Sequence, residues 1–258
     1  MIALMFAICV ADPADSGLPS KPGWAVSERI RTEHATQAAA ADEHHFYAVS
    51  NTRVARLDRK SGKLLGGGTD PKVKHLNSAF VWKGRVYCAH SNYPDTPHKS
   101  DIWVFDPADD SLDLFHRFEE PPGSLVWCVR EPADRFWWCC FAHYDGDNAK
   151  TVLVKMNDRF RELRRWRFPD RVIKDWDGMS ASGGIWDGDT ILASHHHFRV
   201  LYRLELPKDG KRLELVETLR CPFPGQGFAI DPNGKGRLVG IDRPRREVIT
   251  ASRAKQED

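Results

Sequence analysis

Five times along this chain an apolar run gives way to a turn, a second apolar run and further strand-like segments. The first repeat opens with HATQAAA, turns at Asp42-Glu43 and continues with HFYAVSN and TRVARLD. The second reads KHLNSAFVW, Lys83-Gly84, RVYCAHSN, DIWVFDP and SLDLFHRF. The third reads GSLVWCV, a turn at 132–134, RFWWCCFAHY, TVLVKM and RELRRWRF. The fourth reads SASGGIW, Asp187-Gly188, TILASHHH, VLYRLEL and LELVETL, and the fifth GQGFAID, Asn233-Gly234, RLVGID and EVITASR. Alternating apolar runs of this length, cut by Gly and Asp turns, are strands. Corresponding positions lie between 40 and 53 residues apart, the spacing of propeller blades rather than of shorter solenoid repeats. The pattern predicts an all-β chain, a five-bladed β-propeller. The last blade has three strands of its own, and WAVSERIR over Trp24–Arg31 supplies the fourth, so the ring closes and hides its edges. A β-sandwich is the alternative, since alternation and turns do not by themselves fix closure. One short helix is expected near residues 170–176.

Composition agrees. Nine Trp and thirteen Phe favour the half-buried surface of sheets, and 41% hydrophobic residues suffice for a packed core. A formal charge of +2 on 258 residues argues against nucleic acid as a partner, because phosphate binding needs a concentrated basic surface. The Arg-rich run 161–167 alternates with apolar residues, as the solvated face of an outer strand does. The head, MIALMFAICVA, reads as a short or truncated export signal over residues 1–11 and is too short to span a bilayer. Residues 12–22 read as a linker, 23–253 as the propeller and 254–258 as a charged tail. The location expected from the signal is periplasmic or secreted. Cleavage would leave five cysteines without paired spacing, expected as buried thiols, with one disulfide from Cys128 to Cys139 or Cys140 as the alternative. Gly66-Gly67-Gly68 lacks the context of a phosphate loop and reads as a flexible connector. Nothing in the pattern fixes the oligomeric state.

Overlaying the repeats on their second strands aligns Ser50, His90, His143, His195 and Ile241. In a blade the start of the first strand and the end of the second share one face. His34, Gln37, His75, Asn77, Ser182 and Gln226 therefore join that face from the first strands. Two expectations compete for the histidines. His34, Gln37, His75, His90, His143 and His195 can ring a divalent metal ion, since neutral imidazoles are good ligands for transition ions. Alternatively they hydrogen-bond neighbouring strand ends and fill a polar channel. Of His195-His196-His197, only one or two can join the site. Around the same mouth, Tyr144, Asp145 and Arg199 are candidates for catalysis, and Asn51, Asn77, Asn92, Tyr93, Gln226 and Arg243 for ligand binding.

The segments HATQAAAADEHHFYAVSNTRVARLDRKSGKLL, KHLNSAFVWKGRVYCAHSNYP, FAHY, SGGIWDGD and GQGFAIDP resemble a family of secreted bacterial β-propeller proteins sometimes labelled cycloisomerase-like. The resemblance runs from about residue 31 to 249. A looser similarity is to propeller lyases that use a His/Gln-coordinated ion to abstract a sugar proton, with which His34, Gln37, His75, His143 and His195 are compatible. Together these imply a metal-dependent lyase, isomerase or hydrolase acting on a carbohydrate or lactone-like small molecule. The alternatives are a noncatalytic propeller that binds a glycan or peptide, and a structural interaction platform.

Overall fold

The computed structural model describes residues 20–131, 133 and 135–254. The export-signal and tail readings lie outside these residues. The chain enters through β1 (Lys21–Pro22) and β2 (Trp24–Arg31) and then builds its blades in order. Blade one is β3 (Ala38–Ala41), β4 (His45–Val49), β5 (Arg53–Asp58) and β6 (Leu64–Thr69). Blade two is β7 (His75–Trp82), β8 (Arg85–Ser91), β9 (Ser100–Asp106) and β10 (Ser111–Phe118). Blade three is β11 (Ser124–Arg130), β12 (Trp137–Ala142), β13 (Val152–Met156) and β14 (Glu162–Arg167). Blade four is β15 (Gly184–Asp187), β16 (Thr190–Ser194), β17 (Val200–Glu205) and β18 (Glu214–Arg220). Blade five is β19 (Ala229–Ile230), β20 (Leu238–Asp242) and β21 (Glu247–Arg253), with β2 as its outermost strand.

The fold is therefore the five-bladed propeller, closed as the sequence pattern predicts. β2 runs antiparallel to β21 from Trp24↔Arg253 to Arg31↔Glu247. β1, inside the segment expected to be linker, adds a fifth strand parallel to β18 of blade four. The short helix is present as α1 (Asp170–Asp175).

The triple glycine is a strand and not a connector. It lies in β6, where a Cβ on Gly66 would meet the Asp110 carboxylate and one on Gly68 would meet Phe105. Blade two presses on this outer edge, and only glycine leaves room for it. All five described cysteines are buried free thiols. Cys128 and Cys139 face each other in register across β11 and β12, without a bond. Burial drives the Cys88 and Cys221 thiols up to about 12, so they behave as small apolar side chains.

The inner strands touch at the propeller's centre. Ala38, Ala39 and Ala40 are fully buried, and Ala38 bridges Gly227 of blade five. A Cβ on Gly227 would lie 2.7 Å from Ala38 Cβ and 2.8 Å from Ser78 Cα. One on Gly184 would lie 2.5 Å from the Trp127 indole. All three distances are below any normal contact, so close approach at this waist requires small residues. The centre is a packed plug with a cavity at each end.

Candidate functional site

The ends of the inner strands where each blade begins surround a polar cup of about 160 Å³. Its wall comprises Gln37, Asn51, His75, Asn77, Tyr93, Val126, Tyr144, Met179, Ser182, His196, Gln226 and Arg243. Each blade contributes at least one of these residues. Eight were candidates from sequence: Gln37, Asn51, His75, Asn77, Tyr93, Tyr144, Gln226 and Arg243.

A repeated brace builds the wall. Gln37 Nε2 donates to Asn51 Oδ1, Asn77 Nδ2 donates to Ser91 Oγ at 3.3 Å, and Ser182 Oγ shares a 2.7 Å hydrogen bond with His196 Nδ1. In each pair the partners are fourteen residues apart, on the start of the first strand and just past the second. The Ser182–His196 contact is thus one instance of a rim brace that amides and hydroxyls make in the other two blades. Asn77 Nδ2 also donates to Leu125 O of blade three at 2.8 Å, and Gln226 Nε2 to His196 O at 3.4 Å. Gln37 and Gln226 are almost wholly buried.

Among the described residues the cup is cationic only at Arg243. Burial, then the nearby His90 and Arg243, holds His75 down to about 4. Burial and the charges of His197, His195 and Arg243 hold His196 down to about 3. Both imidazoles are neutral at physiological pH. Burial, then Tyr93, pushes the Tyr144 phenol above its ordinary value, so it keeps its proton. The Tyr93 and Tyr144 rings lie 4.9 Å apart and form one side of the cup.

The aligned histidines go elsewhere. His90 Nε2 accepts from Lys74 N at 3.0 Å, and its Nδ1 lies 3.3 Å from the Asp101 carboxylate. His143 Nε2 donates to Pro122 O at 2.6 Å. His195 Nε2 donates to Asp175 O at 3.0 Å, while its Nδ1 accepts from His197 N and Phe198 N. Each ring pins the segment that leads into its own blade's inner strand. The repeat alignment is real, and these three of its members serve as latches. His34 lies in an adjoining depression with Glu33, Thr52 and Arg246.

The six expected ligands, His34, Gln37, His75, His90, His143 and His195, are not gathered together. Among the described residues no three His, Cys, Asp or Glu side chains form a group that could hold a metal ion. The divalent-ion expectation is not supported by this donor set, which has only two imidazoles among amides in the cup. Asp145 is exposed at the start of a 3-10 turn, Asp145–Lys150. Asn92 ties its own loop, donating to Pro97 O and accepting from Lys99 N. Arg199 reaches Pro222 O and lies 3.7 Å from Asp242 in the seam between blades four and five. None of these three lines the cup.

Sequence reasoning placed Ser182 on this face without a role, left open which of His195-His196-His197 joins the site, and missed Val126 and Met179. For His196 a signal existed. Asn51 and Tyr144 each lie one position beyond the aligned residue, and the same offset in blade four is His196.

No family model matches the sequence, and no curated protein sequence matches it either. Solved structures do. A PQQ-bound aldose sugar dehydrogenase from Streptomyces coelicolor gives a TM-score of 0.56 at 12% identity, over 92% of this chain and 99% of that one. A chain in a mitotic checkpoint complex gives 0.47 at 10% identity, over 84% and 63%. The likeness to the dehydrogenase is one of fold. It identifies a β-propeller and leaves chemistry to the cup.

Proposed function

We propose that the cup binds a carbohydrate or lactone-like small molecule of about monosaccharide size and moves a proton on it, as an isomerase or lyase would. The observation that carries this is the convergence of four amide side chains, two neutral imidazoles, two phenols and one guanidinium on a cup of about 160 Å³. Amides both donate and accept, which suits a ligand with many hydroxyls. The paired tyrosine rings offer an apolar face for a sugar ring, and Arg243 favours a carboxylate or a polarised lactone carbonyl. His75 and His196 are free to accept a proton, and Tyr144 is protonated and able to return one. Among the described residues the cup wall contains no carboxylate. Glycoside hydrolysis by paired acids therefore finds no support, since that chemistry needs two carboxyl groups flanking the bond.

A noncatalytic glycan-binding propeller is the second reading. It is favoured by the low proton affinity of both imidazoles, which makes them weak bases. Titration calorimetry with a panel of neutral monosaccharides, uronates and aldonolactones tests both. We expect at least one class to bind, with affinity weakened about tenfold or more by Gln37→Ala, the loss of one or two buried hydrogen bonds. Conversion of the bound compound, followed by NMR and abolished in His75→Phe, distinguishes the enzyme from the binder. A folded protein that binds no member of the panel would overturn both.

A further inference from the structure

At the far end of the inner strands, beyond the packed waist, the blades form a second and larger cavity of about 850 Å³. Every blade contributes the end of its inner strand or the turn after it. The wall is apolar and aromatic, with Phe80, Trp82, Val129, Ile185, Trp186 and Ile230 as its large side chains. Ile230 is 53% exposed, the highest value among the large exposed hydrophobics described. A concave aromatic cavity of this size is in the range of small-molecule sites.

The bowl is preformed. Lys83 and Gly84 form a tight turn in which both have positive φ. At the seam between blades one and five, Arg59 Nη2 holds the buried Asp231 carboxylate at 2.8 and 2.9 Å. Asn233 Nδ2 donates across the same seam to Glu43 O. A wall tied in this way loses little freedom on binding.

Most of the charges around the bowl are engaged within the protein. The Lys83 ammonium lies 4.4 Å over the Trp82 ring, while Glu43 is exposed at the rim. Asp42 accepts from Tyr47 and from the backbone of His44 and His45. Arg130 pairs with Asp158 and stacks on Trp82 and Trp137. Glu131 accepts from the Trp138 indole at 3.2 Å. Asp42 and Arg130 have little left to offer a charged ligand, and the second Glu131 oxygen is buried 3.7 Å from Arg135. A second copy of the chain also fits poorly, because an isologous dimer would set one concavity on another.

We propose that this bowl is a second binding site, separate from the cup, for an uncharged and predominantly apolar small molecule. The test is a fluorescence titration of the folded protein with N-phenyl-1-naphthylamine, a neutral apolar fluorophore. Saturable one-to-one binding is expected, with quenching of tryptophan emission from Trp82 and Trp186. Ile230→Asp puts a charge in the wall and is expected to weaken binding at least about tenfold, because an apolar ligand cannot solvate it. Leu163→Asp, an equally exposed position on the outer strand of blade three, is expected to leave affinity unchanged. Far-UV circular dichroism of both variants checks folding. Three results would each overturn the proposal: no saturable binding, equal binding by the Ile230→Asp protein, or a dimer in sedimentation that Ile230→Asp dissolves. The last would give the bowl to a second copy.

Discussion

Two imidazoles in the cup are kept neutral by burial and by positive neighbours, and this has a consequence for stability. An unfolded histidine titrates near 6.5, whereas His75 in the folded protein titrates near 4 and His196 near 3. Burial lowers His195 as well. Between those values the unfolded chain takes up protons that the folded chain refuses, so acid favours unfolding. Stability should be level from about pH 7 to 9 and fall as pH drops from about 6.5 to 4. His75 alone accounts for roughly 3 kcal/mol of that fall at about 1.4 kcal/mol per unit of displacement. Urea unfolding at a series of pH values measures it, and His75→Gln should flatten the acid slope. An unchanged slope in that variant would mean that His75 is solvated and protonates freely.

At the scale of the element, each blade's second strand ends in a residue that either latches or lines. His90, His143 and His195 latch the segment leading into the inner strand, and Asn51, Tyr144 and His196, one position on, line the cup. His195 is the most heavily used, with one donated and two accepted hydrogen bonds and almost no exposure. His195→Ala should cost about 2–4 kcal/mol in thermal or urea unfolding, because it orphans buried backbone groups. A cost below about 0.5 kcal/mol would show that the ring is not a latch. The strands, their turns and the alignment of these histidines were legible in the sequence, because period-two alternation and Gly/Asp turns are local. The side to which each ring turns was not. A strand's side chains alternate, so a shift of one residue exchanges latch for wall, and only the positions of Lys74, Pro122 and Asp175 in space decide which is which. The glycine run misled for a similar reason: what makes Gly66 and Gly68 necessary is blade two, far along the chain.

For the whole molecule the decisive feature is closure. Four four-stranded sheets and one of five strands surround a plugged centre, and β21 would become an open edge if β2 were lost. β2 holds its place by the ladder to β21 and by side-chain contacts that include the following three. Trp24 Nε1 donates to Gly236 O at 2.8 Å, Arg253 stacks 4.0 Å over the Trp24 ring, and Arg29 pairs with Glu247 at 2.8 Å. A chain begun at Thr32 should therefore lose cooperative unfolding and elute as higher-order species, because an unpaired apolar strand is a template for another chain. A synthetic peptide spanning residues 20–31, added in trans, should dock on β21 and return the protein to the elution volume of the full chain, as strand addition at a sheet edge does elsewhere. Size-exclusion chromatography with and without the peptide reads the result. A truncated chain that elutes like the full protein and melts within a few degrees of it would show that three strands suffice for blade five, and that the ring is held by its packed waist alone.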